Sequence, residues 1–244
     1  MGMDFATRWK VLMYSFLVSL LLIVPFIACI DNSGTSENTD AVPDLIESDT
    51  WTHRFSIQGV EHTMTYEVVG TGVEEDVAYY LVESEIDPPV SSVIDAYAIK
   101  LEKDSRFILE LKTPKKLSGS IYEMEITYTY EFIDCSYYPL VVGNECTVSE
   151  TEKRLLTGTV KNEQSVPVDT YITTTNEFTY RASNFEEITV PAGTFDCFKV
   201  DQYNQEGEMV RTSWKSPQVK YLEVKGIGYP SGNVTELISY DITS

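Results

Sequence analysis

The stretch YEMEITYTYEF, from Tyr122 to Phe132, alternates strictly between two kinds of side chain. Every second residue is aromatic or apolar, and the residues between them are glutamates and threonines. Because successive side chains of a β-strand point to opposite faces of a sheet, this period of two predicts a strand with one apolar face. The residues predicted to share that face are Tyr122, Met124, Ile126, Tyr128, Tyr130 and Phe132.

The same period of two extends through most of the chain from Trp51 onward. The runs WTHRFSI and EHTMTYEV lie on either side of a Gln58-Gly59 turn, which predicts a β-hairpin. Clusters of Pro and Gly separate the later runs, and no run has the apolar spacing of a long amphipathic helix. The chain is therefore predicted to be all-β. We expect one large curved antiparallel sheet, either an open half-barrel or a closed barrel or sandwich, after an N-terminal signal or anchor segment.

The charge of the chain excludes one large class of partner. It carries 38 acidic residues against 18 basic ones, a formal net charge of −20. Nucleic-acid binding needs a basic surface for the phosphates, so no nucleic-acid partner is expected. A polybasic patch that docks on anionic lipid headgroups is excluded for the same reason.

The N-terminus has the composition of an export signal. Arg8 and Lys10 precede an apolar run from Val11 to Ala28, which ends in the tetrapeptide FIAC. A basic flank followed by an apolar run and a small residue is typical of a secretory signal. The tetrapeptide resembles a lipobox, in which Cys29 would become the lipidated first residue of the mature protein. An uncleaved membrane-anchoring helix is the alternative, because the run is about as long as the shortest spanning helices.

Both alternatives give the same topology, with everything after Cys29 outside the cytoplasm. We expect an exported protein anchored to the outer face of the cytoplasmic membrane, at a cell surface or in a periplasm. The predicted segments are a signal peptide over 1–29, a flexible polar linker over 30–50 and a single β domain over 51–244.

The cysteines fit an exported protein. Cys135 and Cys146 bracket the sequence SYYPLVVGNE, a connection between two strand-like runs. A hairpin there would bring the two sulfurs within disulfide reach, so a Cys135–Cys146 disulfide is predicted. Cys197 lies inside another strand-like run and is predicted to be a buried, inert thiol.

The sequence offers little catalytic chemistry. It contains none of the common hydrolase, metalloprotease or nucleotide-binding motifs, and its only histidines are His53 and His62. If the hairpin turn pairs Ile57 with Val60, both histidines lie on one face. They are weak candidates for metal ligands, because a zinc site needs three or four ligands and the sequence nominates two. We expect neither an enzyme nor a cofactor.

The C-terminal part of the chain contains EEITVPAGTFDCFKVDQYN, from Glu186 to Asn204, followed by WKSPQVKYLEVK and VTELISYDI. In this pattern it resembles a broad group of uncharacterised exported bacterial and archaeal proteins. In that group a VPAGTF-x-C-x-K-V hairpin is followed by W-x-x-P-x-V and a final E-L-x-S-Y strand. The matching residues are Val190, Pro191, Ala192, Gly193, Thr194, Phe195, Cys197, Lys199 and Val200, then Trp214, Pro217 and Val219, then Glu236, Leu237, Ser239 and Tyr240. The chain departs from the group at Tyr221 and Leu222, where a glycine is common. The resemblance implies an architecture similar to the lipoprotein-carrier half-barrels, whose concave face can hold an acyl chain.

Two functions remain open from the sequence. In the first, the aromatic face between Tyr122 and Phe132 binds an apolar or lipid-like ligand without catalysis. In the second, the same face is a fully packed core, and the protein is a structural or protein-interaction module of the cell envelope. A copurifying lipid would distinguish the first from the second.

Overall fold

The computed structural model describes residues 44–89, 96–103, 108–113, 120–133, 140–160, 166–167 and 170–242. These residues form 13 β-strands, and each strand pairs antiparallel with its neighbours. The strands are β1 (Thr50–Ile57), β2 (Val60–Glu74), β3 (Val77–Asp87), β4 (Ala96–Glu102), β5 (Ile108–Thr113), β6 (Ser120–Ile133), β7 (Glu145–Val160), β8 (Val166–Pro167), β9 (Thr170–Val190), β10 (Gly193–Asn204), β11 (Met209–Lys215), β12 (Glu223–Gly228) and β13 (Val234–Asp241).

The sheet closes on itself. Strands β1 to β6 follow one another in order, β1 pairs with β13, and the sheet continues through β12, β11, β10 and β9 to β7. Because β7 also pairs with β6, these 12 strands form a closed antiparallel barrel, to which the short β8 is attached at one end of β7. The predicted all-β antiparallel class is confirmed, and the closed barrel is the form that occurs. Each of these 12 strands therefore has a neighbouring strand on both sides in the described part of the chain.

The first hairpin has the register predicted from the sequence. Ile57 pairs with Val60, and Phe55 lies directly opposite His62. Gln58 and Gly59 both have positive φ angles, 52° and 80°, as a two-residue hairpin turn of the primed type requires. Burial alternates along β1, so that one face of the strand lines the barrel interior.

Strands β11 and β12 are covered on both faces. Thr212 and Ser213 are adjacent in β11 and both are buried, and the same holds for Glu223 and Val224 in β12. The long β9–β10 hairpin packs against this part of the sheet, where β9 contacts β12 and β13. At its turn, the backbone N–H of Ala192 donates to the carbonyl oxygen of Leu237 at 3.2 Å. The turn of this hairpin therefore packs against β13.

The chain before β1 packs onto the barrel. Leu45 is buried, and its backbone N–H donates to the hydroxyl of Tyr80 at 3.2 Å. The carboxylate of Asp49 accepts a hydrogen bond from Lys220 Nζ at 3.0 Å, and both residues are buried. The folded domain therefore includes residues from 44 onward, although the sequence assigned residues up to 50 to the linker.

Several predictions about the N-terminus and the cysteines concern residues outside the described part of the chain. Cys29 and Cys135 lie outside the described residues, so the lipid attachment and the Cys135–Cys146 disulfide stay predictions. Cys197 is a free, fully buried thiol whose pKa burial raises to about 12, as its predicted inertness requires. Among the described residues, no helix has the length and apolar character to span a membrane.

Candidate ligand-binding site in the barrel interior

The predicted aromatic face of β6 points into the barrel. Ile126 and Tyr128 are almost completely buried, and Tyr130 is partly buried against the core. The Tyr128 and Tyr130 rings stack with centroids 6.3 Å apart. The side chains of Tyr122, Met124 and Phe132 lie outside what the structure describes. The assignment of this face as a ligand wall stays a prediction.

Carboxylates share the inner face with these tyrosines. Glu152 lies directly opposite Tyr128 in β7, and Glu150 lies opposite Tyr130. Burial raises the pKa of Glu150 to about 7, and the charge of Glu152 adds to the effect. Sequence analysis did not predict this grouping of carboxylates and tyrosines, because the register of β6 against β7 cannot be derived from either strand alone.

An apolar row crosses the inner face of the sheet from β2 to β6. Its members lie directly opposite one another in consecutive strands, so their side chains share one face. Each is at most 2% exposed. The members of this apolar row are Val68, Val82, Ile99, Leu111 and Ile126.

A second, polar row lies beside the apolar row, one inward-facing position away along the strands. It runs from β1 to β4, again through directly opposed residues: Trp51, Tyr66, Ser84 and Tyr97. Tyr66 stacks on Trp51 with centroids 5.1 Å apart and planes 10° from parallel. Ser84 places a small side chain between the two tyrosines, both of which are buried.

His53 extends the polar row along β1. Its ring contacts Tyr66 edge-on at 5.8 Å, and its Nε2–H donates to the backbone carbonyl oxygen of Glu223 at 2.7 Å. Burial lowers the pKa of His53, so the imidazole is neutral near pH 7 and its Nδ1 is an acceptor.

The second histidine is held separately. His62 Nδ1–H donates to the carbonyl oxygen of Pro88 at 2.6 Å, and its ring stacks on Phe55. Nowhere in the described part of the chain do three His, Cys, Asp or Glu side chains gather as metal ligands.

Three polar atoms around Tyr66 have no hydrogen-bond partner among the described residues. They are Trp51 Nε1, His53 Nδ1 and Tyr97 Oη, and all three residues are at most 3% exposed. Buried polar groups are almost always paired, because an unpaired one loses its hydration without compensation. Three such atoms in one part of the interior make it the candidate site for a bound molecule.

A buried ion pair lies next to this site. Arg211 Nη2 donates to both carboxylate oxygens of Glu223, at 2.6 and 2.8 Å, and the Glu223 side chain is fully buried. Its charges act on both Tyr66 and His53. A Cβ on Gly226 would overlap Arg211 Nη2 and Glu223 Oε1, so only glycine leaves room for the pair.

Lys215 belongs to the same inner face as the ion pair. It is fully buried, and burial lowers its pKa well below the usual value for lysine. The alternation within MVRTSWK places Arg211, Ser213 and Lys215 on one face, a signal present in the sequence. Sequence analysis did not assign this face to the interior, because two basic residues, Arg211 and Lys215, on the inward face of one strand contradict the usual burial preferences.

The C-terminal motif has a structural role in the part of the molecule described. Trp214 Nε1–H donates to Glu186 Oε1 at 2.7 Å, which ties β11 to β9. Pro217 begins a short 3-10 turn, Pro217–Val219, whose N-cap is Ser216. Tyr221, where the resembled group commonly has glycine, has a left-handed φ of 62°, a conformation that glycine adopts without strain.

Comparisons with known proteins give a likeness of fold at low sequence identity. No protein-family model matches the chain, and no curated protein matches it. A candidate lipoprotein from Parabacteroides distasonis has a similar solved structure, with a TM-score of 0.41 and 16% identity over 84% of this chain and 100% of that one. A candidate exported protein with a YmcC-like fold from Bacteroides fragilis aligns with a TM-score of 0.39 and 12% identity, over 89% of this chain and 99% of that one.

Proposed function

We propose that the protein is an exported, membrane-anchored binding protein that holds one lipid-like molecule inside its barrel without chemically changing it. The observation that carries the proposal is the adjacency of two inner rows. The polar row contains unpaired buried atoms of Trp51 and Tyr97, and the neighbouring row contains only apolar side chains. An amphiphilic molecule matches this order, with its polar end at the first row and its apolar part along the second.

Binding rather than catalysis suits the chemistry of the lining. Tyrosine and tryptophan combine a large apolar area with one hydrogen-bonding atom, which serves to hold and orient a ligand. His53 has a lowered pKa and donates its Nε2–H to the backbone, so it acts as a fixed acceptor. The affinity would come from the apolar area removed from water, less the cost of ordering the ligand.

The anchor follows from the N-terminal sequence. The basic flank, the apolar run and Cys29 are the features of an anchor, which would hold the barrel next to a membrane, where lipid-like molecules are abundant. A barrel with an amphiphile site in this position would take up or store a molecule that water does not dissolve.

A second candidate function is a structural or protein-interaction module whose core is filled by its own side chains. One observation favours it: the members of the apolar row are at most 2% exposed, as in a self-packed core. In this case the three unpaired polar atoms would be satisfied by buried water.

Native mass spectrometry of the full-length chain, released from detergent micelles in the gas phase, tests the proposal. We expect an additional mass of lipid size that is lost on denaturation. A covalent lipid on Cys29 would survive denaturation, and a Cys29→Ser variant controls for it. A chain that carries only covalent mass under native conditions would contradict the proposal and favour the packed-core module.

A further inference from the structure

We infer that the polar end of the bound molecule is an uncharged group that both donates and accepts hydrogen bonds, such as a hydroxyl or a primary amide. The inference deepens the proposed function and rests on it. It follows from the types of the three unpaired atoms, since each type fixes what the ligand must present.

A ligand that pairs with all three atoms must offer both a hydrogen-bond donor and an acceptor. Trp51 Nε1–H can only donate, so the ligand must offer an acceptor to it. His53 Nε2–H is bound to the Glu223 carbonyl oxygen, so Nδ1 can only accept, and the ligand must offer a donor to it. The hydroxyl of Tyr97 can take either role.

Two of the three residues contact a single side chain, Tyr66, and the third lies in the same row. Trp51 stacks on Tyr66 at 5.1 Å, and His53 meets the edge of the same ring at 5.8 Å. Tyr97 lies two strands from Tyr66 in the same cross-strand row, with only the small Ser84 between them, and the two tyrosines interact electrostatically. A polar group beside the Tyr66 ring is therefore the candidate partner of Trp51 Nε1 and His53 Nδ1, the two unpaired atoms whose rings contact it.

The local charges favour a neutral group. The charged residues that act on Tyr66 are Arg211 and Glu223, and they form an ion pair with each other. Burial lowers the pKa of Lys215 on the same inner face, which favours its uncharged form. A carboxylate would have no donor for His53 Nδ1 and would have to be dehydrated beside a cation that is already paired. The net charge of −20 on the chain also opposes the approach of an anion.

Three probes with the same twelve-carbon length separate these properties. Dodecanamide donates and accepts, methyl dodecanoate only accepts, and dodecanoate accepts and carries a charge. Their dissociation constants are measured by equilibrium dialysis at pH 7.5 with the full-length chain in lipid nanodiscs, and binding to empty nanodiscs is subtracted. We expect dodecanamide to bind about fivefold more tightly than methyl dodecanoate, for one hydrogen bond, and at least about tenfold more tightly than dodecanoate.

Two Tyr→Phe variants separate a ligand contact from a structural role. Tyr97→Phe removes an unpaired hydroxyl, so it should leave the unliganded chain equally or more stable while weakening dodecanamide binding about fivefold. Tyr80→Phe is the matched control in the adjacent strand. Its hydroxyl donates to Asp44 at 2.5 Å and accepts from the Leu45 N–H, so it should lower stability and leave the affinity unchanged.

The indole N–H signals in an NMR spectrum of ¹⁵N-labelled wild-type chain provide a readout that needs no variant of the site. Dodecanamide should shift the Trp51 indole signal and leave that of Trp214 in place, because Trp214 Nε1–H is already bound to Glu186. A Trp51 signal that stays in place at saturating dodecanamide would overturn the inference.

The possible failures are distinguishable. If none of the three probes binds, the proposed function fails and the inference fails with it. If methyl dodecanoate or dodecanoate binds as tightly as dodecanamide, the barrel binds lipid-like molecules but the inference about the polar end is wrong. An unchanged affinity in Tyr97→Phe contradicts the assigned position of the polar end in the same way.

Discussion

Replacement of Gly226 by alanine should destabilise the barrel although alanine is ordinarily the better strand residue. The added Cβ would overlap Arg211 Nη2 and Glu223 Oε1 and lie 3.0 Å from Glu223 Cδ. Arg211 and Glu223 would have to shift from their paired positions inside the barrel, where the Glu223 side chain has no exposure to water. Disruption of a buried pair costs about 3–5 kcal/mol, and alanine recovers about 0.5–1 kcal/mol of backbone entropy. The expected net loss of unfolding free energy is about 2–4 kcal/mol.

Gly228→Ala is the matched control, two residues along the same strand. Its Cβ would meet only Ser231 Oγ, at 3.6 Å, an ordinary contact, so its stability should stay within about 1 kcal/mol of the wild type. Urea unfolding followed by circular dichroism measures both variants. In a background that carries Arg211→Ala and Glu223→Ala, Gly226→Ala should cost little, since neither long side chain then occupies the space. If Gly226→Ala is as stable as Gly228→Ala, the claim that the pair excludes a side chain at Gly226 is wrong.

Three further predictions concern other buried groups. The pKa of Glu150 is raised from 4.5 to about 7 in the folded chain, so the folded chain keeps a proton that the unfolded chain releases between these values. Stability should therefore fall by at most about 3 kcal/mol as the pH rises through this window, and urea titrations at pH 5 and 8 should show a smaller fall in Glu150→Gln. Cys197, fully buried and with a raised pKa, should react with iodoacetamide only after unfolding, and mass spectrometry of the wild type with and without urea measures this. Lys220→Met leaves the carboxylate of Asp49 without its buried cation, so thermal unfolding should show a loss of about 3 kcal/mol, and an unchanged melting temperature would contradict the importance of this tie.

The local features of the fold could be predicted because each depends on a few neighbouring residues. The period of two identified the inner face around Tyr128, and the Gln58-Gly59 turn fixed the register of the first hairpin. Gly193 has the positive φ, 141°, that hairpin chemistry at VPAGT requires. These features follow from strand geometry and turn chemistry alone.

The candidate site could not be predicted, because it depends on registers that accumulate over many strands. The polar row needs the pairing of four consecutive strands, and a register shift between Thr52 and His53 changes how β1 meets β13. No turn residue in the sequence marks that irregularity. The packing of Leu45 was missed for a related reason, since a mainly polar segment with a few apolar residues does not reveal which surface will cover them.

The pairing of Thr50 with Asp241 links the first strand of the barrel to the last. A ribosome makes β1 long before β13, so the first hairpins must wait with one side of β1 unpaired until the whole sequence has been synthesised. Folding of such a topology is slow, because the contact with the greatest separation along the chain is also the one that closes the ring. A product truncated before β13 would present β1 and β12 as open templates for pairing with other chains. The last strand thus covers the two strand edges at which an incomplete barrel could pair with another chain.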